Sequence, residues 1–139
     1  MGPSDNYAEI SFQIKPYDID AAGHVNNAVY INWLEDLRVK LFSDIVPLES
    51  LAKKNIYLVV ASTRIKYKAP LFLYDNPEGI LKIDHYYKGI WYLTARFIRG
   101  HQVIAEAEQK CVLIDGKNNK MLKEVVSTSK EMEYEIDRC

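Results

Sequence analysis

Cysteine is scarce: Cys111 and Cys139 are the only two among 139 residues. Their spacing fits neither a zinc site nor a redox dithiol, and the second is the final residue, a poor anchor for a disulfide. A reducing compartment, and hence a cytoplasmic protein, is the expectation. Long apolar runs are also missing. No stretch of 18 apolar residues occurs, so no membrane-spanning helix is expected. The opening Met1-Gly2-Pro3-Ser4-Asp5-Asn6 lacks the basic-then-apolar order of a secretory signal. Nor is there an excess of one charge, since 18 Lys and Arg face 19 Asp and Glu. That argues against a nucleic-acid partner, which calls for a clear basic surplus, while leaving room for a local cationic patch. His24, His85 and His101 are scattered without metal-ligand spacing, so no metal is expected. A Gly-rich phosphate loop, a dinucleotide fingerprint and a Gly-x-Ser-x-Gly elbow are all absent.

What is present is enough apolar sequence for one core, and one domain is expected over residues 8–126, with 1–7 and 127–139 as tails. A first strand is predicted over Glu9–Lys15. Pro16 to His24 is rich in Pro, Asp and Gly and reads as an irregular loop. Asn26 or Asn27 can cap a helix running to about Phe42 or Ile45. Its apolar residues Val29, Trp33, Leu37 and Leu41, widened by Tyr30 and Leu34, form one stripe, with Asn32, Glu35, Asp36 and Lys40 off it. A short helix is expected after Pro47. From Asn55 the period changes to two. Val59, Ala61, Thr63, Ile65, Tyr67 and Ala69 read as the buried face of a strand, with Ser62, Arg64, Lys66 and Lys68 outside. Three more strands follow: Gly79–Tyr87, one around Trp91–Phe97, and Val103–Ile114, separated by turns at Gly89 and Gly100. Asp115 to Asn119 is a further turn. The charged stretch from Ser127 to Cys139 reads as a frayed helix or irregular chain. The fold class is therefore α+β: short turns make antiparallel neighbours, and one striped helix and one sheet must cover each other. Sheet left uncovered by a single helix invites self-association into a homodimer or homotetramer.

One segment carries chemistry. Asp18, Asp20, Gly23-His24-Val25-Asn26-Asn27, Tyr30, Trp33, Glu35 and Arg38 fall at constrained spacings in one window. This window resembles the hotdog-fold thioesterases of the 4-hydroxybenzoyl-CoA, acyl-CoA and acyl-ACP group, and Ile65-Lys66-Tyr67-Lys68-Ala69-Pro70 is similar to the strand that follows their helix. The resemblance implies a hotdog fold, a curved antiparallel sheet wrapped around one long central helix. It also implies hydrolysis of an acyl thioester of coenzyme A or of acyl carrier protein; the missing cofactor motifs leave water as the only co-substrate expected.

The resemblance makes Asp20 the catalytic carboxylate, acting as base or nucleophile, and Gly23, His24, Val25, Asn26 and Asn27 the oxyanion and substrate-positioning segment. Elementary physics agrees that this is workable. A helix start exposes unpaired N–H groups at a positive dipole end, suited to a developing oxyanion. Asp18 is expected to bond loop amides. Glu35 is either the partner of Arg38 within the helix or a second acid beside the pocket. Tyr30 and Trp33 read as core. Arg64, Lys66 and Lys68 form a cationic strand face that suits the phosphates of coenzyme A or an acidic carrier protein, and equally a solvated edge. Within the resemblance, the Gly-His-Val-Asn-Asn form implies an aliphatic acyl group more than an aromatic one. A non-catalytic acyl-CoA-binding hotdog module and a hotdog dehydratase are the alternatives.

Overall fold

The structure is a computed structural model and describes residues 7–127 and 132–136. The elements in chain order are β1 (Tyr7–Ser11), α1 (Asn27–Ser43), α2 (Leu48–Lys53), β2 (Ile56–Tyr67), β3 (Glu78–Tyr87), β4 (Ile90–Arg99), β5 (Gln102–Asp115), β6 (Lys120–Ser127) and β7 (Met132–Ile136). The main sheet runs β1-β3-β4-β5-β2, antiparallel throughout. β6 pairs with the last two residues of β5, beyond the point where β4 begins at Ile90, and β7 pairs with β6. The curved sheet and its single long helix form the hotdog arrangement that the resemblance implies. Among the described residues no helix is long and apolar enough to cross a membrane.

α1 follows the predicted stripe. Tyr30, Trp33, Leu34, Leu37, Leu41 and Phe42 are buried, while Asn32, Glu35, Asp36 and Lys40 are exposed. The rings of Phe12 and Trp33 stack at 4.8 Å, and Tyr30 meets Phe97 edge-on at 5.2 Å, so the space between helix and sheet is filled by aromatic side chains. Burying each such side chain contributes roughly 1.5–3 kcal/mol. Gly79 on β3 allows this approach. A Cβ there would lie 2.7 Å from the Phe12 ring and 3.1 Å from Leu37 and Phe97. The β3–β4 hairpin turns through Lys88 and Gly89, both at positive φ, as a tight two-residue turn requires.

Three expectations are corrected. β1 starts two residues early and stops at Ser11, because the next position on its partner is Pro77, which has no N–H to extend the ladder; Phe12 N–H still donates to the Pro77 carbonyl at 2.9 Å. β2 does not bury one odd-numbered face from end to end. Its register with β5 shifts between Val60 and Ser62, so Ile56, Leu58 and Val60 face the helix before this bulge and Thr63, Ile65 and Tyr67 after it. Val59, expected inside, therefore points outward with Tyr57. Finally, Met132–Ile136 is a strand, where a frayed helix or irregular chain was expected; pairing with β6 supplies the partner that local propensity does not reveal. Cys139 and residues 1–6 lie outside the described residues.

Candidate active site

The loop before α1 is a closed, internally bonded structure. A single-turn helix at Pro16–Asp18 opens it, and the Asp18 carboxylate accepts from the Lys15 N–H at 2.8 Å, in line with the expected amide-bonding role. Ile19 bridges to Val25. Between them Asp20 N–H donates to the His24 carbonyl at 2.8 Å, and Gly23 N–H to the Asp20 carbonyl at 3.0 Å. Gly23 has φ +85°, a conformation that favours glycine. The Asp20 side chain completes the turn. Its Oδ1 accepts from Ala22 N–H at 2.9 Å and His24 N–H at 3.3 Å. Its Oδ2 has no partner among the described residues, and the residue is exposed. The outcome is a carboxylate oriented through one oxygen and open at the other.

The helix start lies at the end of the same loop. Asn26 is the N-cap, its Oδ1 accepting from Ala28 N–H at 3.0 Å, and its own N–H donates to the Asp18 carbonyl. Asn27 N–H has no acceptor among the described residues. One backbone donor thus remains open at the positive end of a 17-residue helix. Val25 N–H donates to the Leu71 carbonyl at 2.8 Å, tying the loop to the segment after β2. That segment is braced by Arg99, which bonds both Asp75 Oδ2 at 2.8 Å and the Pro70 carbonyl at 3.1 Å. It holds Phe72 edge-on to the half-buried His24 ring at 5.2 Å.

Sequence reasoning missed Tyr67. It reads there as a strand residue, yet its hydroxyl donates to the Asn27 carbonyl at 3.3 Å and its ring meets Tyr30 edge-on at 5.2 Å. Its place directly before Lys68-Ala69-Pro70, where β2 ends, is the only hint in the sequence. Tyr30, buried beneath, has its hydroxyl pKa pushed up to about 12, by burial first and by Tyr67 second.

The other candidates lie elsewhere. Glu35 is two turns along α1, exposed, and paired with Arg38 at 3.6 Å, as the intrahelical reading has it. Arg38 in turn donates to the buried Gln109 at 3.0 Å, and Gln109 donates to Thr63 at 3.0 Å, linking helix to sheet. Arg64 and Lys66 lie on the face of the sheet away from α1, beside a cavity of about 750 Å³. Arg64 is bonded to Glu108 and Lys68 to Glu106 at 2.8 Å, so two of the three predicted cations already have carboxylate partners. Among the described residues no group of His, Cys, Asp and Glu could hold a metal ion.

Comparison with known proteins bears on this loop and helix. FadM of Escherichia coli (strain K12), named a long-chain acyl-CoA thioesterase, is 28% identical over 116 residues, covering 82% of this chain and 88% of its own. The crystal structure of YbaW, a probable thioesterase from Escherichia coli, superposes with a TM-score of 0.71 at 27% identity, covering 84% of this chain and 87% of its own. A DHNA-CoA thioesterase from Staphylococcus aureus superposes with a TM-score of 0.78 over 84% of this chain and 80% of its own, and at 14% identity it shows the shared fold. The thioesterase-like superfamily matches residues 14–135. That match takes in the Asp20 loop, the helix and every strand from β2 to β6, and the chain belongs to the thioesterase-like superfamily.

Proposed function

We propose that this thioester hydrolase acts on acyl-CoA or acyl carrier protein thioesters, with Asp20 as the carboxylate that attacks or activates water. The observation that carries the reading is the Asp20 side chain. Oδ1 is held by two loop amides while Oδ2 is left open, within a few residues of the unpaired Asn27 N–H. A thioester carbonyl oxygen accepting from Asn27 would place its carbon before that carboxylate. Charge developing on the oxygen is then met by a fixed donor and the helix dipole, an effect on the order of 3 kcal/mol per donor in enzymes where one was removed. Asp20 takes the proton of the attacking water, or adds directly to give an anhydride that water opens; either route ends in carboxylic acid and free thiol. Gly23 lets the backbone approach the substrate, and His24 and Val25 shape the approach through Phe72 and Leu71. Similarity to FadM supports a long aliphatic acyl group on coenzyme A.

Rings fill the space between α1 and the sheet, so room for the acyl chain has to come from the uncovered flank where Ile31 and Tyr67 are exposed. A second copy of the chain would complete that flank. β2 pairs only with β5 among the described residues, leaving one edge of a 12-residue strand unpaired, which supports a homodimer, or a homotetramer built from it. The test is a panel of acyl-CoA and acyl carrier protein thioesters assayed for thiol release, with Asp20→Asn alongside. Asparagine still accepts from Ala22 and His24 through its side-chain oxygen, so the turn survives. Turnover should fall on the order of 10³-fold. Undiminished turnover in that variant removes Asp20 from the mechanism.

A further inference from the structure

The face of the sheet turned away from α1 is ordered in cross-strand rows. Residues paired across antiparallel strands share a face, so the register defines each row. The first row is Glu9, Ile80, Arg96, Glu106, Lys66, and the second is Tyr7, Lys82, Thr94, Glu108, Arg64. The third is His85, Tyr92, Lys110, Ser62. A fourth, Tyr87, Ile90, Val112, Val59, is wholly apolar or aromatic. Successive rows are two residues apart on β4 and β5, roughly 7 Å along the strands, with one extra residue at the bulges between Lys82 and His85 on β3 and between Val59 and Ser62 on β2. Two adjoining cavities, of about 750 and 500 Å³, cover the first three rows and share Arg64, Thr94 and Glu108.

Charge in this groove is unbalanced. Four cations in the first two rows, Arg64, Lys66, Lys82 and Arg96, face three carboxylates, Glu106, Glu108 and, at the β1 edge, Glu9. Arg64 is taken by Glu108, and Glu106 is bonded by Lys68. Lys66, Lys82 and Arg96 make no hydrogen bond or ion pair among the described residues. At the centre, the Thr94 hydroxyl is shielded from water and has no hydrogen-bond partner, an arrangement that costs free energy until an acceptor arrives. In the third row the His85 ring stacks on Tyr92 at 4.2 Å, offering a flat aromatic surface one row from the cations.

We propose that this groove binds the phosphorylated nucleotide end of a coenzyme A thioester, its phosphates on Lys66, Lys82, Arg96 and the Thr94 hydroxyl and its base on the His85–Tyr92 stack. The inference rests on the hydrolase reading for the rest of the substrate. A 3′-phosphate, a diphosphate and a stacked base match three separate cations and an aromatic pair better than a simple anion does. The path to the candidate active site is short in sequence. Lys66 ends the first row, and the next residue, Tyr67, faces the other side and touches the helix start through Asn27. A pantetheine arm passing the end of β2 joins the two.

Adenosine 3′,5′-bisphosphate is the probe, titrated calorimetrically into the whole chain. Binding is expected, weakened on the order of tenfold or more in a Lys82→Glu, Arg96→Glu variant. The KM for an acyl-CoA, divided by that for the same acyl group on pantetheine, should rise by a similar factor. Thr94→Val tests the hydroxyl without touching charge. It should weaken the bisphosphate several-fold while the melting temperature holds or rises, since a shielded unpaired hydroxyl is removed. No binding to the wild-type chain, or an unaltered KM ratio in the charge variant, overturns the proposal. So does a loss confined to acyl carrier protein substrates with no bisphosphate binding, which would make this face a protein-docking surface. Bisphosphate binding without turnover of any thioester would leave the groove standing and remove the hydrolase reading.

Discussion

The two faces of the sheet use alternate residues of the same strands and obey different rules. On β4, Trp91, Leu93, Ala95 and Phe97 are buried toward α1, while Tyr92 and Thr94 are half-buried and Arg96 is exposed on the other side. The helix side is filled by rings in mutual contact, so shape decides which residue can stand there. The outer side holds charge, hydroxyl and open cavity, none of which the fold needs for its core. One face can thus be read as the cause of the architecture, and the other is free to carry recognition. The Asp20 loop belongs to neither. It is held by its own backbone bonds at the end of the helix, so its geometry is local while its position is tertiary.

That contrast can be broken by substitution. Phe97→Ala on the helix side removes a fully buried ring in contact with Phe12, Tyr30 and Trp33 and should cost about 3–5 kcal/mol, read by chemical denaturation. Alkaline stability comes next. Tyr30 ionises near its ordinary value of 10.0 when unfolded and at about 12 when folded, so the native chain holds its proton longer. Stability from this group is complete below pH 10 and lost as the pH rises through 12, about 3 kcal/mol in all. Tyr30→Phe, which cannot ionise, should lose less stability over that window in alkaline melts. Cys111, pushed up to about 11 by burial, acts in the same direction from a lower pH and stays as a common background.

Gly79→Ala should cost about 1–3 kcal/mol, because the new methyl meets the Phe12 ring and has no space to enter. On the outer side, Arg64→Ala removes an exposed pair with Glu108 and should move stability by less than about 1 kcal/mol. Equal losses for Arg64→Ala and Phe97→Ala would abolish the distinction between the faces.

Much of the fold was legible in the sequence. The helix was readable because Tyr30, Trp33, Leu34, Leu37 and Leu41 recur at helical spacing and Asn26 can cap. β3, β4 and β5 were readable because their apolar residues alternate and turn residues separate them. The phase of β2 was hidden, since a bulge adds a residue without changing composition: Val59 and Ala61 look as buriable as Ile65. β7 was hidden because its partner is a neighbouring strand and its own composition is charged. Asp20 and the Gly23–Asn27 segment were legible as a motif, whereas Tyr67 and the outer-face rows depend on residues distant in sequence meeting across strands.

By itself the sequence determined local periodicities, the capped helix, the turns and the Asp20-to-Asn27 window, because each depends on residues within a few positions of one another. Tertiary structure alone decided how Tyr67 reaches the helix start and how Lys66, Lys82 and Arg96 come to share one groove. Those outcomes depend on strand register, and a shift of one residue would carry each side chain to the opposite face.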